Sequence, residues 1–219
     1  MKFALLLIAS MGLTTVIGDC IRRILPCAPS IVFDGESTTS GISSQLPSYP
    51  TQLCAQLPAN YSCYNSGTGG AEIADLIAEG VLDVDMKRQG PQDHLVLWIG
   101  VNDLIRGGPN AAATYAGVSQ YIAARKAAGW TVVILTLPPM TALSFPGADS
   151  QAMLDADTAQ FNALILANTA GADVVLDISA DPFLQPGAGG RQPDGIHYNV
   201  AGNARIADLV LPSLQRLCP

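Results

Sequence analysis

The run His94-Leu-Val-Leu-Trp-Ile99 is apolar at almost every position, and that lack of alternation constrains the fold more than anything else in the chain. A strand with one wet face alternates apolar and polar residues; a strand covered on both faces does not. Four more strand-like runs accompany it, at residues 30–34, 61–65, 131–137 and 173–178. Helical patterns separate them at about 49–57, 71–82, 111–128 and 151–170, and a last one spans about 200–217. Gly129 stands where a C-cap glycine would close the 111–128 helix, and Pro138-Pro139 stops the fourth strand. Strands and helices alternating through one domain predict an α/β fold, a parallel sheet with helices on both faces.

In such sheets ligands bind at the carboxyl ends of the strands. Ser37 lies just past the first strand, the glycine-rich Ser66-Gly-Thr-Gly-Gly70 past the second, and Gly100-Val-Asn102-Asp103 past the third. All three stretches therefore share one rim. The chain has only two histidines. His94 begins its strand and points to the opposite rim, as a structural or surface residue. His197 is left as the candidate base.

Its setting, Asp194-Gly-Ile-His197, suits that role. A carboxylate three residues upstream can reach one imidazole nitrogen on a turn and leave the other free to take a proton. Taken alone, the pair reads rather as a polar surface loop. Ser37, in Phe33-Asp-Gly-Glu-Ser37, sits in a strand-to-helix turn that Gly35 allows to bend sharply. Asn102 can turn a side-chain amide toward a developing negative oxygen, or cap the segment that follows. Asp103 is suited to holding its loop by accepting backbone N–H bonds. There is no G-x-S-x-G, so the nucleophile elbow of the α/β-hydrolases is absent. Asn65-Ser-Gly-Thr-Gly-Gly70 lacks the lysine of a phosphate loop and the order of a dinucleotide fingerprint.

Taken together, Gly35-Glu36-Ser37, Gly70, Gly100-Val-Asn102-Asp103 and Asp194-Gly-Ile-His197 resemble, in this order, the four blocks of the SGNH/GDSL hydrolases. The resemblance extends from about Ile31 to Leu217. It implies a three-layer α/β/α sandwich, flavodoxin-like, with sheet order 2-1-3-4-5. It implies a catalytic set of Ser37 as nucleophile, His197 as general base and Asp194 orienting it. It also implies an oxyanion hole made by the N–H groups of Ser37 and Gly70 with the Asn102 amide; Gly69 could take Gly70's part by a shift of register. No cofactor or metal is implied. The first block usually reads Gly-Asp-Ser, and here Glu36 replaces the aspartate; activity is expected to survive, since Glu36 is outside the triad.

The expected function is hydrolysis of small-molecule carboxylic esters, with short acyl groups, through an acyl-enzyme. Two alternatives remain: an O-deacetylase acting on a carbohydrate ester, and a non-catalytic binding or interaction module on the same fold. Loops 138–147 and 180–190 should border the pocket, and their Met140, Leu143, Phe145, Phe183 and Leu184 suit either an acyl chain or ordinary loop packing. Arg106 and Arg191, beside functional loops, suit either an anionic group or structural pairing.

The remaining features concern location. A chain of 219 residues, 49% hydrophobic and 13% charged, suggests one domain with a sizeable core rather than disorder. A net charge of −7, with no basic cluster longer than a pair, argues against nucleic acid as a partner. Lys2 followed by an apolar stretch to Gly18 reads as a signal peptide over residues 1–18, leaving a single domain at 19–219 that is secreted or periplasmic and not stably inserted in a membrane. Five cysteines fit an oxidising compartment. Cys54 with Cys63 is the first choice for a bridge, with Cys27–Cys218 plausible and Cys20 left over; buried free thiols are the alternative. No Cys/His spacing resembles a zinc site.

Overall fold

A computed structural model describes residues 28–106, 110–141 and 150–214. The expected signal peptide, Cys20, Cys27, Cys218, Leu143 and Phe145 lie outside the described residues. Five parallel strands form one sheet: β1 (Ser30–Gly35), β2 (Ser62–Asn65), β3 (His94–Trp98), β4 (Thr131–Leu135) and β5 (Val174–Leu176). Their order is 2-1-3-4-5, with Ile31 opposite both Cys63 and His94. All the residues of β1 and β3 are buried, as the unbroken apolar run of β3 requires of a strand covered on both sides.

The helices are α1 (Ser37–Ser40), α2 (Tyr49–Cys54), α3 (Ile73–Asp83), α4 (Val101–Ile105), α5 (Ala111–Ala127), α6 (Gln151–Ala167) and α7 (Val200–Leu214). Helix α2 packs against α7, while α5 packs against both α3 and α6. Right-handed crossovers explain the grouping: the chain leaves β1 toward one edge of the sheet and leaves β2, β3 and β4 toward the other, so the connecting helices fall on opposite faces. Element ends follow local chemistry. Helix α5 closes where Gly129 turns to φ +95°, a conformation glycine adopts without a side-chain penalty. Helix α6 stops three residues before its expected end, because Asn168 takes up a left-handed cap with φ 50°. Helix α3 begins at Ile73 rather than Ala71, since Glu72 and Asp75 form a reciprocal capping box that satisfies two orphan N–H groups.

The core runs along both faces of the sheet. On one face, edge-on contacts link Phe33 to Tyr49 and Tyr49 to Trp98, each pair 5.7 Å between ring centres, a favoured geometry for aromatic pairs. Cys54 at the end of α2 meets Cys63 of β2 sulfur to sulfur, with Cα atoms 6.3 Å apart, within the usual span of a disulfide. Among the described residues no helix is long and apolar enough to cross a membrane.

Candidate active site

β1 and β3 are neighbours whose outgoing connections run to opposite faces, so a crevice opens at their carboxyl ends. Ser37 enters it at the start of α1. The bend before it depends on Gly35, whose φ is +152° and where a Cβ would stand 2.0 Å from the Trp98 carbonyl oxygen. No other residue lets β1 end this close to β3.

Facing Ser37 is the turn from Asp194 to His197. It closes over Gly195, at φ +72°, where a Cβ would stand 1.7 Å from Thr141 Oγ1. Asp194 Oδ1 accepts the backbone N–H groups of Ile196 and His197, each at 2.9 Å. Its Oδ2 lies 2.7 Å from His197 Nδ1, and His197 Nε2 lies 2.9 Å from Ser37 Oγ. A carboxylate only accepts, so Nδ1 carries the proton and Nε2 is the acceptor for the Ser37 hydroxyl. Partial burial works against the Asp194 charge. The two N–H bonds and the imidazole outweigh it and hold the carboxyl below the usual range.

The turn rests on Arg191, which is buried. Its guanidinium donates to the carbonyls of Leu184 at 2.6 Å, Pro139 at 2.5 Å and Ile196, and stacks 4.4 Å above the Tyr198 ring. Arg191 is thus engaged structurally. Arg106 donates to the Gly70 carbonyl at 3.1 Å and pairs with Glu72 at 3.3 Å, but its side chain also lines the cleft.

Ser37, Gly70, Asn102 and His197 line one cleft of about 140 Å³. No acceptor among the described residues takes up the backbone N–H of Ser37 or of Gly70. The Asn102 amide donates to the Ala71 carbonyl at 2.9 Å and makes a longer contact, 3.4 Å, to Glu36 Oε2. Asp103 accepts the Ile73 N–H at 3.2 Å, so it fixes the start of α3, as a loop-holding carboxylate would. Burial pushes its carboxyl up to about 6. His94 is buried at the far end of β3, its Nδ1 2.9 Å from the Gln92 carbonyl, and burial lowers its pKa.

Of the candidate apolar residues that the structure describes, none walls the cleft. Met140 and Leu184 are buried in the core, and Phe183, though partly exposed, does not line the cleft. Among the described residues the apolar wall comes from Ile42, Val101, Ile105 and Ile196. Two of these belong to the five-residue α4, which the sequence pattern does not mark, and Ile42 follows the four-residue α1. Among the described residues no cluster of His, Cys, Asp and Glu could hold a metal ion.

Residues 33–205 match the model of the GDSL-like lipase/acylhydrolase family. Solved structures with similar folds include a lipase/acylhydrolase from Enterococcus faecalis, at 18% identity and TM-score 0.67 over 87% of this chain and 97% of that one. The acetyl xylan esterase AlAXEase is 21% identical, with TM-score 0.64 over 84% of this chain and 99% of its own. A variant of an acetyl-xylooligosaccharide esterase from Geobacillus is 18% identical, with TM-score 0.63 over 85% and 94%. At these identities the likeness carries the fold. No curated protein matches the chain.

Proposed function

The chain belongs to the GDSL-like lipase/acylhydrolase family and is a carboxylic ester hydrolase, and we propose that it is a serine esterase acting on short-acyl esters. The observation that carries this reading is the hydrogen-bonded line from Asp194 through His197 to Ser37, with spacings of 2.7 and 2.9 Å. Nucleophile, base and orienting carboxylate are each within the reach that proton transfer requires.

In the proposed mechanism, Ser37 Oγ attacks the ester carbonyl carbon while His197 Nε2 takes its proton. The carbonyl π bond opens onto oxygen, and the resulting oxyanion meets the N–H groups of Ser37 and Gly70 and the Asn102 amide. As the tetrahedral intermediate collapses, the bond to the alcohol oxygen breaks and His197 protonates it. Water then attacks the acyl-enzyme by the same proton route and releases the acid. Asp194 holds the imidazole with its proton on Nδ1 and stabilises the imidazolium that forms.

The size of the cleft supports a short acyl group. Its volume of about 140 Å³ is well below the ~300–1,000 Å³ of pockets for drug-sized ligands. Acetyl esters of carbohydrates are a second reading, favoured by the same small cleft and by the similarity to the structures of an acetyl xylan esterase and an acetyl-xylooligosaccharide esterase. A p-nitrophenyl ester series of rising acyl length, run beside acetylated xylan, separates the two. Hydrolysis is expected to fall steeply beyond butyrate, and a fluorophosphonate probe is expected to label Ser37. In Ser37→Ala, kcat drops by about 10⁴–10⁶; a folded Ser37→Ala protein with wild-type turnover would sink the assignment. We further propose that the protein is exported and cleaved near Gly18, which the intact mass of protein recovered from outside the cell would test.

A further inference from the structure

Glu36 joins the two halves of the site. Its main chain delivers Ser37, while its side chain turns inward and is completely buried. There Oε2 accepts the Val101 N–H at 3.1 Å and, at 3.4 Å each, the Asn102 backbone N–H and side-chain amide. Oε1 has no hydrogen-bond partner among the described residues. No cation pairs with Glu36 among the described residues. The titratable groups facing it are Asp103 from α4, Tyr49 from α2 and Tyr198 beyond the His197 turn. Burial is the main influence and pushes the carboxyl up to about 8. Glu36 is therefore neutral in mild acid and ionises in mild alkali.

The consequence falls on Asn102. Its amide nitrogen has two hydrogens; one is held by the Ala71 carbonyl at 2.9 Å and the other touches Glu36 Oε2 at 3.4 Å. A substrate oxyanion needs one of them. The second contact is longer than an ordinary N–H···O bond, so that is the hydrogen that turns to substrate. A neutral carboxyl is a weak competitor for it. An ionised one forms a charge-assisted bond of roughly twice the strength.

We propose that Glu36 is a positioning residue for the oxyanion pocket, acting through Asn102: in its neutral form it releases the amide to the substrate, and in its ionised form it retains it. With Oε2 occupied by N–H donors, the proton of the neutral form sits on Oε1. The proposal rests on the serine-esterase reading, in which Asn102 contributes to transition-state binding, so its effect falls on kcat rather than KM.

The test is kcat and KM for p-nitrophenyl acetate between about pH 6 and about pH 9.5, in wild type and Glu36→Gln. Wild-type kcat is expected to fall about tenfold across the ionisation of Glu36 while KM holds, and Glu36→Gln, which cannot ionise, is expected to lose that alkaline limb. Asn102→Ala supplies a second reading that does not depend on the folding of Glu36→Gln: kcat is lower throughout, and the limb disappears because the amide it acts on is gone. A limb of the same midpoint in either folded variant, or none in wild type, overturns the proposal and leaves the esterase reading standing. Failure of folded wild type to hydrolyse any ester removes both.

Discussion

In the proposed mechanism Asp194 acts on His197 by deciding where one proton sits. Asp194→Asn preserves the shape of the turn but offers Nδ1 a group that can donate as well as accept, so the imidazole can present the wrong tautomer to Ser37. The expected result is a fall of about 10⁴ in kcat with little change in KM; a drop below about tenfold in folded protein would show that His197 is oriented by something else. Ile105, buried at the end of α4 on the wall of the cleft, governs size instead. Ile105→Ala is expected to improve hexanoate relative to acetate hydrolysis by about tenfold, since a methylene in an apolar pocket is worth ~1–3 kcal/mol, and an unchanged acyl profile would place the acyl group elsewhere. These two residues differ in how legible they are from sequence. Ser37 and Asn102 stand out because polar residues just past apolar strands have few packing reasons to be there, and His197 stands out as one of only two histidines, with Asp194 three residues before it. Ile42, Val101, Ile105 and Ile196 look like any loop or helix aliphatic until the chain is folded around them. Glu36 was legible as an oddity, but its contact with Asn102 crosses 66 positions and no local pattern encodes it.

The two shortest helices carry most of the site. Helix α1 presents Ser37 and α4 presents Asn102, and each follows its strand with a single residue or two between. Such elements are too short to leave a periodic signal, which is why the strands and long helices were readable and α1 and α4 were not. Their position depends on backbone approach. Gly35→Ala introduces a Cβ 2.0 Å from a backbone oxygen at φ +152°, where neither partner can yield cheaply. It is expected to abolish soluble folded protein or cost several kcal/mol; a near-native melting temperature would mean that β1 can slide. On the other side of β1, we propose that Cys54 and Cys63 form a disulfide joining α2 to β2. The bridge closes a loop of sequence separation 9, for which the loss of unfolded-chain entropy corresponds to about 2–3 kcal/mol. Cys54→Ala/Cys63→Ala is expected to lower denaturant stability by that amount. Equal stability with and without reductant in wild type would argue for free thiols.

At the scale of the whole molecule, the three-layer fold follows from strands that have no wet face, and the position of the cleft follows from where the strand order reverses. The same burial places several carboxyls where charge is disfavoured. Burial raises Asp34 to about 6, despite the hydrogen bond from Tyr121, and raises Glu36 to about 8 and Asp103 to about 6. Carboxyls of an unfolded chain titrate near 4. The folded protein therefore holds extra protons between about pH 4 and about pH 8, and the stability they represent is lost as pH rises through the folded values. Asp173, Asp177 and Asp194 are shifted the other way, and their contribution disappears only as pH falls below the ordinary carboxylate range. Opposition comes only from the acid side, from His94, whose lowered pKa costs stability below the ordinary imidazole range near 6.5, and from these aspartates below about 4, so stability declines toward alkali. With a cost of order a few kcal/mol, the melting temperature is expected to be about 5–10 °C lower at about pH 8.5 than at about pH 5. Glu36→Gln removes the group with the largest rise and so flattens the slope. A wild-type melting temperature that instead climbs between those two pH values would mean that Glu36 ionises freely, because water or a cation reaches it in solution.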